Sequence, residues 1–501
     1  MCDSTNNRFV KIFIDYNNNG IFESTEQVAV SGSLTSVAQN FSTNITVPAN
    51  VVIGTTTIMR VIVQEAVNAS DVNACGTYGK GETQDFRVRI VNPSNDMAIT
   101  NIVAPQGGDC SNTQQYITAT LYNAGTTTQN NIPVTATVLN GSTTVATINA
   151  VCPTSIAGQS SSNYTFQTPF NAVAGTTYTI TVTANLVGDQ NSSNNSISSS
   201  VAIAAAPATI NGEGVACSGS ALLQVINPST SAKYFWYTSN TPGSNPIPTN
   251  SVVNTANSST VNTSTVPANR TYFVSKDARA ALAPANKLVY TNGGYNTFAG
   301  NFMSFNAATP LKIETVRLFI GNPGQIRITV GRNMSMGSTA GSYTYNQEAV
   351  TTIDVYPTSP TSPSLGANVN DPSDTGAVYL LNLNVPTSGD KILILECLNG
   401  ASIYRNNGIS GTTYPLGAPG IMTWTGNSAS LSTGVNANQF FYFFYDTRVV
   451  TGCPSPLSSP IVAAPDAGNP SVSIAGDSLI ASVAGAASYQ WMFNDLSLIH
   501  I

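Results

Sequence analysis

The residues best placed to do chemistry lie between Asp15 and Glu26, in the stretch VKIFIDYNNNGIFESTE at positions 10 to 26. Asp15, Asn17, Asn19, Gly20 and Glu26 fill every specified position of the calcium-loop pattern D-x-[DN]-x-[DN]-G-x5-E. Ca²⁺ takes six to eight oxygens, so alternate side chains turn inward, Gly20 makes the sharp bend, Ile21 offers a carbonyl, and Glu23 and Glu26 close the shell. The expected cofactor is a structural Ca²⁺ held by Asp15, Asn17, Asn19, Ile21, Glu23 and Glu26. The other reading of the same residues is a polar Asn-Gly turn between two strands.

A strand leads into the loop: Val10, Ile12 and Ile14 alternate with Lys11, Phe13 and Asp15, and no helix flanks it. RFVKIFIDYNNNGIFESTEQV, then TVPANVVIGTTTIMRVIV, then ACGTYGKGETQDFRVRIV resemble a GEVED domain, a β-sandwich module of secreted bacterial proteins. The motif of its name reads GETQD at Gly81 to Asp85, where Glu82 and Asp85 either complete the calcium shell or cap a turn. The resemblance covers the second half of such a domain, so residues 1–92 are expected to be a partial one.

The 501 residues suffice for several domains, each with its own core. Hydrophobic residues make up 42%, which excludes a disordered polymer. Only 8% are charged, against ~25% in ordinary globular proteins, and 39 Gly and 27 Pro suit short strands joined by many turns. The fold class is therefore all-β, a string of β-sandwich domains of immunoglobulin-like and jelly-roll type. A net charge of −6 without basic clusters argues against nucleic acid, and no apolar run reaches the length of a membrane span.

Residues 96–206 carry alternating strands, with Ile117, Ala119 and Leu121, then Val134, Ala136 and Val138, on one face. With the Asn-Ala-Gly turn at 123 to 125 and the GDQNSSNNS close, they resemble a CARDB-type adhesion module, which has an immunoglobulin-like sandwich. Asp189, Asn191 and Asn194 there read as a cation site or an Asx-turn. Residues 208–283 resemble an immunoglobulin-like repeat of surface adhesins, with Trp236 in its core, but they lack the end strand. GCPSPLSSPIV, within 448–465, has the character of that missing strand. Residues 284–447 are thus expected to be a jelly-roll, lectin-like module inserted between them, with Ser459 to Val462 pairing beside Tyr272 to Ser275. The alternative is that 448–465 is only a linker. Within the module, the aromatic run NQFFYFFYD reads as one strand covered on both faces.

Residues 469–495 read as the start of a further immunoglobulin-like repeat. Leu496 to Ile501, LSLIHI, translate a transposon-end sequencing adapter, so the chain is expected to be a fragment whose own sequence ends near Asp495. His500, the only histidine, falls in that segment, so no histidine base supports a Ser-His-Asp or Cys-His arrangement. Glycoside chemistry needs only two carboxylates, which 24 Asp and Glu do not exclude. The seven cysteines match no zinc pattern; domain membership suggests Cys2 with Cys75, Cys110 with Cys152 and Cys217 with Cys453, leaving Cys397 over. Tyr404, Arg405, Asn406 and Asn407 form a candidate ligand group, a ring for stacking beside fixed hydrogen-bond donors and acceptors. The other reading packs Tyr404 in the sandwich and pairs Arg405 with Asp446 or Glu396.

The resemblances together imply a non-catalytic fragment of a large secreted or cell-surface adhesin, exported by the type IX system and binding an extracellular glycan or protein ligand. The competing reading is the accessory region of a secreted protease or glycan hydrolase.

Overall fold

The computed structural model describes every residue except 1–6, 36–39, 49–50, 52, 55, 109–113, 218–219, 230–231, 242–243, 245, 248–251, 256–257, 262–269, 339–340, 361–369, 408, 410–412, 433, 463, 466–470, 476–477, 483–489, 494–495 and 501. For 215–217, 220–222, 252–255, 258–261 and the strands beyond 463 only the backbone is described. The described elements are antiparallel strands and short 3-10 turns, with one two-residue parallel pairing.

The chain divides into two compact units. In the first, one antiparallel sheet runs in the order Gln27–Val30, Arg8–Ile14, Thr56–Glu65, Gly81–Arg89. Its core gathers Phe9, Phe13, Ile62 and Val72. Phe13 is thus a core residue as well, and of the expected apolar face only Ile12 is half-buried. Val10 and Ile14 are buried on the opposite face, so this strand has no fully solvated side.

In the second unit, residues 97–202 form a sandwich of two main sheets. One orders Ser160–Thr165, Thr118–Asn123 and Met97–Ala104; the other orders Ser196–Ala202, Thr177–Ala184, Ile132–Asn140 and Thr143–Cys152. Ala119, Leu121, Val134, Ala136 and Val138 are buried, as their period-2 spacing requires.

A second sandwich, of immunoglobulin-like character, surrounds Trp236, Tyr272 and Val274. Ile461–Val462 joins it, pairing Tyr272 with Ile461 and Thr271 with Val462. Ile461 is buried in that core. Ala464–Pro465 adds to Gly212–Cys217 in the facing sheet.

Residues between these strands build separate sheets. One orders Ala278–Leu282, Tyr445–Thr451, Leu311–Leu318 and Ala377–Val385; another has six strands, with Gly389–Leu398 near its middle. Ala278–Leu282 ladders with Tyr445–Thr451, so both strands belong to this module rather than to the immunoglobulin-like sandwich, where the sequence had placed 278–283 and 448–451.

The aromatic run is not one strand. Phe440–Tyr442 and Tyr445–Thr451 lie in different sheets, and the chain turns through Phe443 at φ 63°. Phe444 N–H donates to the Tyr442 carbonyl at 2.8 Å and Tyr445 N–H to the Phe443 carbonyl at 3.1 Å. Phe441 to Tyr445 are all buried because the chain crosses between sheets there.

Candidate functional site

The Asp15–Glu26 loop is closed from both ends. Asp15, itself 3% exposed, accepts the Asn19 N–H at 3.1 Å and the Gly20 N–H at 2.9 Å. Glu26, 4% exposed, accepts the Tyr16 N–H at 2.8 Å and the Glu23 N–H at 3.2 Å. Asn17 and Asn19 accept the N–H two residues onward, as Asx-turns do. Gly20 sits at φ +79°, the left-handed bend that the pattern assigns to it. The Asn19 amide donates to Glu23 at 2.6 Å and holds that carboxyl below its ordinary pKa. Burial and the neighbouring Glu23 push Glu26 above its own. Ile21 leaves its side chain exposed.

The loop therefore collects three carboxylates and two amide side chains in one polar turn, an oxygen-rich donor set of the hard-cation kind. The carboxylates are occupied with loop amides, and among the described residues no three His, Cys, Asp or Glu side chains stand at metal-binding separations. In the GETQD strand, Asp85 is taken by Arg60 in a two-pronged pair at 2.6 and 2.7 Å, directly across the ladder from it. Arg60 holds the Asp85 carboxyl below its ordinary pKa. Glu82 accepts from Gln84.

Tyr404, Arg405, Asn406 and Asn407 do not form a ligand surface. Tyr404 and Asn406 are wholly buried. Asn406 donates to the Lys287 and Asn292 carbonyls and accepts from the Tyr445 hydroxyl at 2.7 Å. Arg405 lies among the rings of Phe298, Phe440 and Tyr442, 4.7–5.5 Å from their centroids. It does not pair with the expected carboxylates: Glu396 meets Arg327, and Asp446 meets Arg448 at 3.2 Å. Beside this cluster Lys287 and Asp374, both fully buried, form an ion pair at 2.8 Å, with the Tyr295 hydroxyl bound to each.

Two expected disulfides are also corrected. Cys75 is a free, exposed thiol beside Arg60, and Cys152 is a free thiol in the core of the first sandwich, where burial pushes its pKa up to about 11. Cys397 is free, and Cys453 is disulfide-bonded. Cys2, Cys110 and the Cys217 side chain lie outside the described residues. Asp189 accepts the Met97 and Asn191 N–H groups, each at 2.8 Å, so this loop is the Asx-turn.

A groove that sequence reasoning missed lies within the second unit. Its cavity of about 620 Å³ lies over the outer face of the Ala278–Leu282 to Ala377–Val385 sheet, with Gln114 and Tyr116 of the first sandwich as one wall. Strand alternation keeps Ile313, Leu381 and Leu383 inward and sends Lys312, Glu314, Asn382 and Asn384 out to the groove. The ladders shift register around Glu314, and Asn382 takes φ 49°; bulges of this kind re-aim side chains. Arg279 faces Glu314 at 3.6 Å, and Arg448 reaches both Asp446 and Gln114. Lys312 makes no ion pair or side-chain hydrogen bond among the described residues. The buried Thr315 hydroxyl, also lining the cavity, has no hydrogen-bond partner there.

The walls are fixed. The Gln167 side chain both donates to the Val378 carbonyl and accepts its N–H, at 3.0 and 2.7 Å, completing the edge of that strand. Tyr164 packs on Tyr356, and Tyr356 on Tyr379. The only sequence signal for the groove was the polar side of strands such as LKIETVRL, which does not reveal what stands opposite.

Residues 9–89 match the GEVED domain. No curated protein matches the chain. Similar solved structures include the FN1–FN3 domains of chicken CNTN1, at 9% identity, covering 55% of this chain and 90% of that one, with a TM-score of 0.16. The secreted serine protease VesC from Vibrio cholerae is 9% identical over 72% of this chain and 50% of that one, TM-score 0.14. The N-terminal CBM22-1-CBM22-2 tandem domain of Paenibacillus barcinonensis Xyn10C is 10% identical over 80% and 91%, TM-score 0.12. At such TM-scores none of these three bears on what this chain does.

Proposed function

We propose that this chain is a non-catalytic recognition region of a secreted or cell-surface protein, whose β-sandwich modules present the groove to an extracellular glycan. The observation that carries this reading is the groove itself: a mixed apolar and polar lining that includes Gln114, Lys312, Asn382 and Asn384, a volume within the range of ligand sites, and walls from two sandwiches locked through Gln167. A GEVED match in the first unit accords with export, since the resemblance is to modules of secreted bacterial proteins. In this reading the jelly-roll module, at 278–451, interrupts the immunoglobulin-like sandwich and is held out from it. The Ile461–Val462 ladder supports that arrangement. Ca²⁺ at Asp15, Asn17, Asn19, Ile21, Glu23 and Glu26 stiffens the first unit.

The test is binding of the whole chain to panels of immobilised polysaccharides and extracellular proteins. Saturable binding to a glycan, weakened by substitutions at Asn382 and Asn384, is expected. Absence of saturable binding to any glycan would sink the reading. An adhesin and the accessory region of a secreted protease or hydrolase both use such a groove; a catalytic motif in flanking sequence favours the second.

A further inference from the structure

The chain is acidic overall, with 18 Lys and Arg against 24 Asp and Glu. The groove inverts that balance. Arg279, Lys312 and Arg448 line it, and Glu314 is the one acidic side chain among its lining residues. In a chain this poor in charge, three cations converging on one sheet face make a local positive field against a negative background. Two of them are partly neutralised, Arg279 by Glu314 and Arg448 by Asp446. Lys312 has no such partner among the described residues, so its ammonium is the charge left for a ligand.

The rest of the lining specifies what carries the anion. Asn382, Asn384 and Gln114 each offer both a donor and an acceptor, which suits hydroxyl groups that do the same. The half-buried Tyr116 ring gives a flat surface for the apolar face of a sugar ring. An extended peptide finds little here. The two central floor strands, Tyr445–Thr451 and Leu311–Leu318, are paired on both sides, so a peptide laid over them could not add as a strand.

We propose that the ligand of the groove is an acidic polysaccharide. Lys312 and Arg448 take its anionic groups, and Asn382 and Asn384 take its hydroxyls. This rests on the reading of the chain as a glycan-recognition region, and narrows it.

The experiment measures binding of the full chain to a polyuronate, a sulfated polysaccharide, a neutral polysaccharide and poly-glutamate, at low and high salt. The polyuronate or the sulfated polymer should bind at least tenfold more tightly than the neutral one, and salt should weaken that binding. Which of the two binds better identifies the anionic group. Lys312→Glu should weaken it at least tenfold with an unchanged unfolding temperature. Lys312→Met, which only removes the charge, should weaken it less and serves if the first variant misfolds. Equal binding of the neutral polymer, unaffected at Lys312, overturns the inference but leaves glycan recognition standing. Equal binding of poly-glutamate overturns it in favour of an acidic peptide. Binding to no polysaccharide overturns both readings.

Discussion

Lys287 is the charge whose removal should cost most. Its ammonium is completely buried, 2.8 Å from Asp374 and 3.1 Å from the Tyr295 hydroxyl. The rings of Tyr404, Phe319 and Tyr295 stand 4.8, 5.1 and 5.4 Å away. Burial pulls the Lys287 pKa below its ordinary value, while Asp374 pulls it back up. Asp374 depends on that ammonium, the Tyr295 hydroxyl and the Gly376 N–H. Lys287→Met leaves a carboxylate buried with no counter-charge, a situation that costs about 3–5 kcal/mol. The double variant Lys287→Met, Asp374→Leu removes both charges and should lie near wild type or above it. The chain has several domains, so a single melting curve mixes their transitions. Hydrogen exchange of the Gly389–Leu398 strand, central in the same module, isolates the effect. At a factor of ten per 1.4 kcal/mol, the single variant should speed that exchange by roughly a hundredfold to a few thousandfold. Protection in the Thr177–Ala184 strand of the first sandwich should change far less. Exchange within tenfold of wild type in the single variant, or a double variant as damaged as the single, would refute the reasoning.

Two further outcomes concern the first unit. If its loop binds Ca²⁺, millimolar Ca²⁺ should stabilise that unit over chelator, by about 2.7 kcal/mol at a hundredfold excess over Kd, and Asp15→Ala should abolish the difference; unchanged protection of Arg8–Ile14 in hydrogen exchange would end the calcium reading. Arg60 depresses the folded-state pKa of Asp85, so the pair's contribution is present above the unfolded carboxylate value and is lost as pH falls through the folded one. Asp85→Asn should flatten that acid limb for the Thr56–Glu65 strand, with a loss at neutral pH of about 0.2–1 kcal/mol for so exposed a pair.

Much of the strand pattern was legible because alternation reports burial on one face directly. Val134, Ala136 and Val138 are buried where their spacing placed them, and Trp236 is the core residue of its sandwich. What was not legible depends on contacts between distant segments. The alternation Phe440–Tyr445 suggested two covered faces of one strand, yet the burial comes from a turn between sheets. Shared domain membership suggested pairs for Cys75 and Cys152, but membership does not bring two Cβ atoms to bonding distance. Tyr404 and Arg405 carry ligand-binding types; only the rings around them reveal that they are packed inward. The groove shows the limit most plainly. Lys312 and Glu314 read as an ordinary solvated face until the Gln114 and Tyr116 segment is set opposite them.

The segment from Cys453 to Val462 shows how a proline-rich stretch can finish a sheet. Pro454, Pro456 and Pro460 cannot donate to a ladder, so residues 453–460 do not run as a regular strand. Serine side chains do the work instead. Ser455 accepts the Lys276 N–H on its hydroxyl at 3.0 Å and donates its own N–H to the Lys276 carbonyl at 2.8 Å. Ser458 does the same for Val274, at 3.1 and 2.9 Å. Three residues on, Ile461 and Val462 continue the edge as true ladder partners of Tyr272 and Thr271. The edge of Thr271–Lys276 is thereby covered along its length, without a regular strand along most of it. At the point of departure the Asp277 carboxylate accepts the Cys453 N–H at 3.1 Å, which ties the outgoing and returning chains together where they meet. With Ala278 laddered to Thr451 just beyond, the insertion proposed above would let the module leave and re-enter the sandwich through two adjacent strands, and neither fold need open to admit the other.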